Sequence, residues 1–322
     1  MAETDTNALP ATRPTTSKLT FANIWDHILA RWSVRRMEHR VKPGLYSLGS
    51  PTPDSPVLVT ANYTLSFDAL RSSMKGIDSY ILVLDTQGVN VWCAAGKGTF
   101  GTDELVRRIE ATRLHEVVNH RVLILPQLGA PGVAAHEVKQ RAHFKVEYGP
   151  VRAEDLPEYL KTRKATPAMR RVRFTLRDRI ALIPIELVAV LLLLLLLTVI
   201  GAYGPVAAIL AGVVLFPILL PWIPTHDFST KGFILGGIIA IPFAISAFLK
   251  LPDSELWLRS AWALMYALLL PPITAYLTLN FTGSTTFTSR SGVRREIARY
   301  IPAMAWMFGA GVLLNIALIF VR

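Results

Sequence analysis

The stretch "GVNVWCAAGKGTFGTDEL", Gly88 to Leu105, holds the single cysteine of the chain, Cys93. It follows "SYILVLDT" (Ser79–Thr86), an apolar run long enough for a buried strand and short for a helix. Asn90 is a good helix N-cap, and "VWCAAGK" after it makes about two helical turns. Cys93 is then the third helical residue, and the Asn90 side chain is placed to cap its amide. Residues three and four further along share its face, and these are Gly96 and Lys97. The sulfur therefore projects from a face flattened by glycine, with Ala94 and Ala95 beside it. That surface suits a thiol pressed onto something broad and planar, and the positive end of a helix favours a thiolate. Trp92 lies about 100° around the helix and is expected to anchor the segment on the sheet.

Three other readings compete for this stretch. A phosphate-binding G-x-x-x-x-G-K-[ST] loop finds its GK at Gly96–Lys97, but Val91 stands where its first glycine belongs and Gly98 replaces Ser/Thr. Gly96, Gly98 and Gly101 do fit G-x-G-x-x-G. That fingerprint closely follows its strand, whereas Gly96 lies ten positions beyond Thr86. The third reading is a buried structural thiol, since free cysteine is often buried. Asn90 before it, small residues after it and the strand-end location weigh towards the projecting sulfur.

Working outward, "SPVLVTAN" (Ser55–Asn62), "RVLILPQ" (Arg121–Gln127) and "FKVEYGP" (Phe144–Pro150) read as further strands. Helical segments lie between and after them, near Phe67–Met74, Thr102–Thr112, Val133–Arg141 and Ala153–Lys161. Strand–helix repetition predicts a Rossmann-like α/β domain over residues 46–162, its mostly parallel sheet covered on both faces. The loops 60–65, 86–101 and 126–132 all follow strands and converge where such sheets bind ligands. Residues 1–45 are expected to be a partly disordered lead-in with a short helix near Phe21–Trp32. Their composition lacks the charged and apolar regions of a secretory signal.

From Ile180 onward long apolar runs dominate, including "VAVLLLLLLLTVI" (Val188–Ile200). About 20 apolar residues cross a bilayer, so the second half reads as an all-α transmembrane domain of five helices: 180–200, 206–223, 232–249, 257–279 and 300–321. Residues 163–179 form a basic linker. The net charge of +11 points to the lipid bilayer and not to nucleic acid, because Arg170, Arg171, Arg173, Arg177 and Arg179 collar the first span. Lys231 and the arginines 290, 294, 295 and 299 fall on the same side, against Lys250, Arg259 and Arg322 on the other. This places the α/β domain in the cytoplasm, the helices in the cytoplasmic (inner) membrane, and the C-terminus on its outer side. With one cysteine the chain has no intrachain disulfide and no four-thiolate iron–sulfur cluster of its own.

At "NVWCAAGK" the sequence resembles the corrinoid-binding family, and within it the mercury-methylating corrinoid proteins; the corrinoid domain of the acetyl-CoA-pathway iron–sulfur proteins is related. "PVLVTANYTLSFDALR", "YILVLDTQGVNVW" and "GKGTFGTDELVRRI" carry the resemblance, over roughly residues 50–162. The histidine signature of many cobalamin proteins, D-x-H-x-x-G, is absent. The resemblance implies that Cys93 is the lower axial ligand of cobalt and that cobalamin is held base-off. It places Thr60, Asn62, Asn90, Val91, Trp92, Ala94, Ala95, Gly96, Lys97, Gly98, Thr99, Gly129, Gly132 and Ala153 at the corrinoid. The implied activity is methyl transfer to Hg(II), forming methylmercury. A sulfur donor suits it, since Hg(II) is an electrophile and a thiolate pushes electron density onto its metal. The implied partners are a ferredoxin-like protein with two [4Fe–4S] clusters, as reductant and Hg(II) donor, and a methyltransferase of the methyltetrahydrofolate type. Two alternatives stand beside this: a membrane-tethered methyl carrier of one-carbon (acetyl-CoA pathway type) metabolism, and a non-enzymatic membrane subunit that would not need Cys93.

Overall fold

The computed structural model describes residues 12–321 other than 251, 253 and 286. The chain divides into two units, Met1–Val172 and Arg173–Arg322. The first is built on a six-stranded sheet of order β1-β2-β4-β3-β5-β6. Strands β3 (Val57–Ala61), β4 (Ser79–Leu84), β5 (Val122–Leu125) and β6 (Lys145–Tyr148) fall in the four segments expected to be strands, and they pair in parallel. Val57 faces Tyr80 on one side and Leu123 on the other.

Every residue of β3 and β4 is buried, as befits strands covered on both faces. Alternate residues feed two cores. Val59, Leu82 and Leu84 meet α3 (Val91–Lys97), α4 (Thr102–Ala111), α5 (Leu114–Val117) and α6 (Ala135–Ala142). Leu58, Ile81 and Val83 meet Phe67 and Leu70 of α2 (Thr64–Ser73) and Tyr159 of α7 (Leu156–Thr162).

The lead-in differs from expectation. Residues 1–11 lie outside the described residues, but from Arg13 on the segment belongs to the sheet. β2 (Gly44–Leu48) runs antiparallel to β4, with Gly44 opposite Val83, and β1 (Arg13–Thr15) lies parallel to β2. Both strands are short, three and five residues, so they carry little periodic signal. Between them α1 (Phe21–Arg31) starts with a reciprocal cap: Asn23 Oδ1 accepts the Thr20 N–H at 2.9 Å, and Thr20 Oγ1 accepts the Asn23 N–H at 3.3 Å. The supposed linker also begins within this unit. Met169 of α8 (Pro167–Arg170) is buried, and its carbonyl accepts the Val151 N–H at 2.8 Å.

The second unit is helical. Among the described residues four helices are long and apolar enough to cross a membrane: Leu176–Val199, Phe228–Leu249, Leu256–Phe281 and Ser291–Val321. The expected span 206–223 is instead a shorter apolar helix, Tyr203–Leu219. It widens by one residue per turn over Ala211–Leu215, just before Pro217. Its far end returns to the level at which the first long helix starts. Arg179 Nε donates to the Pro217 carbonyl at 2.7 Å and Nη1 to the Phe174 carbonyl at 2.9 Å. Helices Phe228–Leu249 and Leu256–Phe281 approach closely at small residues. A Cβ on Gly232 would lie 2.5 Å from Ala275 Cα. Polar groups inside the bundle have partners: Thr278 Oγ1 donates to the Phe228 carbonyl, and the Glu296 carboxylate accepts from the Ser229 N–H and hydroxyl, each at 3.0 Å.

Candidate functional site

The carboxyl ends of β3 and β4 set the turn from which α3 departs. Asn62, one residue beyond β3, is 2% exposed. Its Oδ1 accepts the backbone N–H groups of Thr86 and Gly88, each at 3.0 Å. The Thr86 hydroxyl lies 2.9 Å from the same oxygen and 2.6 Å from the Val89 carbonyl, so its single proton serves one at a time. Asn62 Nδ2 donates to Asp85 Oδ1 at 3.2 Å. From the other side Glu104, in the first turn of α4, accepts the Asp85 N–H at 2.7 Å and is itself held by Arg107 and Arg108. The turn 85–88 is thereby clamped at both ends, with Gln87 and Gly88 at φ +58° and +75°.

This clamp delivers Asn90 to its place. Asn90 is the N-cap of α3, and its Oδ1 accepts the Cys93 N–H at 2.9 Å. The helix ends on Gly98, whose φ of +84° is the left-handed turn that favours glycine. Val91, Ala94 and Ala95 form the buried face, packed into the core with Val59 and Leu125. Trp92 is half-buried, so the expected anchor is not the tryptophan but these three smaller side chains. The helical period explains it: residues 91, 94 and 95 share one side, and Trp92 falls towards the other. Cys93 is half-buried on that other side, next to the exposed Gly96 and Lys97.

Phe100 is fully buried and locks the far end of the segment. Gly129 and Gly132, in the loop after β5, pack directly against this lock. A Cβ on Gly129 would fall 2.5 Å from Phe100 Cε1, and one on Gly132 would fall 2.1 Å from the Phe100 carbonyl oxygen and 3.0 Å from Ala95 Cα. Both glycines thus seat the loop against α3. Beside them the Thr99 hydroxyl is buried without a hydrogen-bond partner among the described residues.

A cavity of about 190 Å³ opens at the carboxyl ends of β3, β5 and β6. Thr60, Val91, Pro126, Pro150 and Ala153 line it, mostly with carbon. It brings together three of the expected residues, Thr60, Val91 and Ala153. Cys93 lies outside it, on the exposed side of α3, and Asn62 is turned to the 85–88 clamp. A cavity of 190 Å³ is below the range of enclosed ligand pockets, too small to enclose a macrocycle. The surroundings fit such a group in character: an accessible thiol on a glycine-flattened face, an orphaned Thr99 hydroxyl and an apolar floor. A larger cavity, about 660 Å³, opens near the amino ends of β3 and β5, lined by Asp54, Val57, His120 and Arg163. No expected site residue lines it. Among the described residues no group of three or more His, Cys, Asp and Glu side chains is placed to hold a metal ion.

Sequence reasoning missed Asp85, Thr86, Glu104 and Phe100. Glu104 had a readable signal, an acid in the first turn of a helix that directly follows the glycines. The others act through tertiary contacts that no spacing announces.

Residues 33–160 match the family described as CO dehydrogenase/acetyl-CoA synthase delta subunit. Similar proteins include the acetyl-CoA decarbonylase/synthase complex subunit gamma of Methanopyrus kandleri, 34% identical over 128 residues, which are 39% of this chain and 27% of that protein. The subunit gamma of Archaeoglobus fulgidus is 35% identical over 114 residues, 35% of this chain and 24% of the relative. That of Methanothermobacter thermautotrophicus is 32% identical over 127 residues, 39% of this chain and 27% of the relative. The chain therefore spans about a quarter of the length of these curated relatives, and the family match falls within its first unit.

Proposed function

We propose that the first unit binds a corrinoid through Cys93 and that the protein passes a methyl group from it to Hg(II), forming methylmercury. One observation carries this reading: the sole thiol stands half-buried on the open face of a short capped helix, at the carboxyl edge of a parallel sheet. When bound, the corrinoid supplies a cobalt centre that carries and releases methyl.

The chain's own residues hold and tune that centre. Cys93 would hold the cobalt through its sulfur, with cobalamin base-off. Asn90 fixes the Cys93 amide and so the start of the helix. Gly96 and Gly98 keep bulk away from the face around the sulfur, and Ala94 and Ala95 let the opposite face of the helix seat closely on the core. Thr60, Val91 and Ala153 form the floor of the neighbouring cavity, Trp92 and Lys97 stand on α3 with the thiol, and the unpartnered Thr99 hydroxyl just beyond the helix offers a hydrogen-bond donor. Asn62, Gly129 and Gly132 act at second hand by holding α3. A thiolate is a strong electron donor, and this favours delivery of methyl to an electrophile such as Hg(II).

The chain's single cysteine leaves electron supply to another protein. The partners in this reading are a ferredoxin-like protein with two [4Fe–4S] clusters and a methyltetrahydrofolate-type methyltransferase. In the membrane, Tyr203–Leu219 serves as a fifth crossing, supported by the return of Pro217 to Arg179. The basic loops then put the first unit in the cytoplasm and the C-terminus outside.

The test is methylmercury formation by the full-length protein with methyl donor, reductant and Hg(II). Cys93→Ala is expected to abolish it with the circular dichroism unchanged, and an unchanged rate would overturn the proposal. A second reading draws on the names of the relatives, subunits of acetyl-CoA decarbonylase/synthase complexes: a methyl carrier for another acceptor in one-carbon metabolism. It predicts Cys93-dependent methyl transfer without methylmercury.

A further inference from the structure

Helix α1 faces the wrong way for a soluble protein. Phe21, Ile24, Trp25, Ile28 and Trp32 follow the three-and-four spacing of a single helical stripe. All five are exposed, Phe21 at 79%, Trp25 at 52% and Trp32 at 44%. The inward face is polar instead. His27 Nε2 lies 2.8 Å from Asp68 Oδ2, and Asn23 Oδ1 accepts Arg71 Nη2 at 3.0 Å. Arg71 also donates to Asp68 at 2.6 Å and to the Lys18 carbonyl at 2.9 Å. Asp68 and Arg71 are buried, so this network fixes the helix rotation. The stripe is held outward by specific bonds.

Exposed apolar stripes of this size mark a binding surface. The charge beside it identifies the occupant. Residues 31–40 carry four arginines and one glutamate. Arg31, Arg35, Arg36 and Arg40 are all exposed, with Glu38 3.8 Å from Arg35. Val34 and Met37 extend the apolar surface among them. An apolar stripe bearing two tryptophans and rimmed by arginine is the pattern of a helix lying in a bilayer interface rich in anionic lipid. The same chain carries helices long and apolar enough to span a membrane, so such a surface is always near. We infer that α1 and the turn after it lie in the anionic membrane interface, with Phe21, Ile24, Trp25, Ile28 and Trp32 inserted among the lipids. The α/β unit would then be docked on the bilayer and not hung from it by a flexible tether. This inference does not depend on what the unit binds at Cys93.

The experiment uses the full chain in vesicles of phosphatidylcholine with phosphatidylglycerol. A nitroxide is placed on Ile28→Cys in a Cys93→Ser background, with Ile24→Cys as a second site and Glu110→Cys, exposed on α4, as the aqueous control. Collision with oxygen and with a water-soluble nickel chelate reports depth. The α1 labels are expected to meet oxygen in preference to nickel, and the Glu110 label the reverse. Arg35→Glu with Arg36→Glu, or vesicles of phosphatidylcholine alone, is expected to shift the α1 labels several-fold towards nickel. Nickel access in anionic vesicles at both α1 sites would overturn the inference. So would shielding from both agents, which would mean that protein, a partner or a second copy, covers the stripe.

Discussion

The side-chain oxygen of Asn62 accepts the backbone N–H of Gly88 at 3.0 Å, joining residues 26 positions apart. The same oxygen takes the Thr86 N–H, so one buried amide sets the turn that leads into α3. Replacing Asn62 with alanine leaves these donors unpaired, at about 1–3 kcal/mol for each buried group. Thermal unfolding of the full chain is expected to show a clearly lowered transition for Asn62→Ala, and the variant is expected to retain less cobalamin. An unchanged transition would show that the clamp does not hold the turn.

Asn90 acts more locally. Its side chain satisfies the Cys93 N–H at the start of a seven-residue helix. Loss of an N-cap costs about 1 kcal/mol, too little to unfold the unit and enough to fray so short a helix. Asn90→Ala is expected to weaken cobalamin retention with little change in the unfolding transition. Asn90→Ser, which restores a cap, is expected to recover most of it. Equilibrium binding of cobalamin by the two variants checks this.

Two glycines that border α3, Gly98 at its end and Gly132 in the loop after β5, are expected to separate in stability. A Cβ on Gly132 would meet backbone, 2.1 Å from the Phe100 carbonyl oxygen, whereas one on Gly98 would meet nothing within 4 Å. Gly98→Ala therefore carries only the strain of a left-handed backbone, about 1–2 kcal/mol. Gly132→Ala is expected to cost more, about 1–3 kcal/mol of overpacking or above, and to displace α3. Chemical denaturation curves for the two variants should rank in that order.

His39 gives the first unit a pH dependence. Burial pushes its proton affinity down, but the Val34 carbonyl and the Asp26 carboxylate, each 2.7 Å away, outweigh it and raise the pKa above the ordinary 6.5. A raised value means the folded state binds the proton more tightly than the unfolded state. The stabilisation is fully present below about pH 6.5 and is lost as pH rises through the higher folded value. The melting temperature is expected to fall across that window in the wild type and to vary less in His39→Gln.

The legibility of each element in the sequence depends on the kind of signal it carries. Strands β3, β4 and β5 are continuous apolar runs that stand out, because both their faces are covered, whereas β6, Lys-Val-Glu-Tyr, is marked by its alternation. The α3 cap is legible as well, since Asn90 and Cys93 interact over three positions of one chain segment. The N-terminal strands are not: β1 has three residues, and β2 is placed by pairing with β4, a long-range match. Helix α1 is visible as a segment, but its inverted orientation depends on Asp68 and Arg71, some 40 to 50 residues away. At Trp92 bulk suggests an anchor, whereas the helical period gives that task to Val91, Ala94 and Ala95. Gly129 and Gly132 are legible only as glycines of a loop that follows a strand, and their packing against Phe100 is a contact only the fold supplies.

The contact between Cys93 and a corrinoid metal is the central claim. The measurement is the visible absorption spectrum of the purified full-length protein with cobalamin, for the wild type and for Cys93→Ala. The wild type is expected to shift bound cobalamin to a base-off spectrum distinct from that of the free cofactor, and the alanine variant to lose that shift while keeping its fold. Identical spectra from the two proteins would contradict the assignment of Cys93 as the ligand.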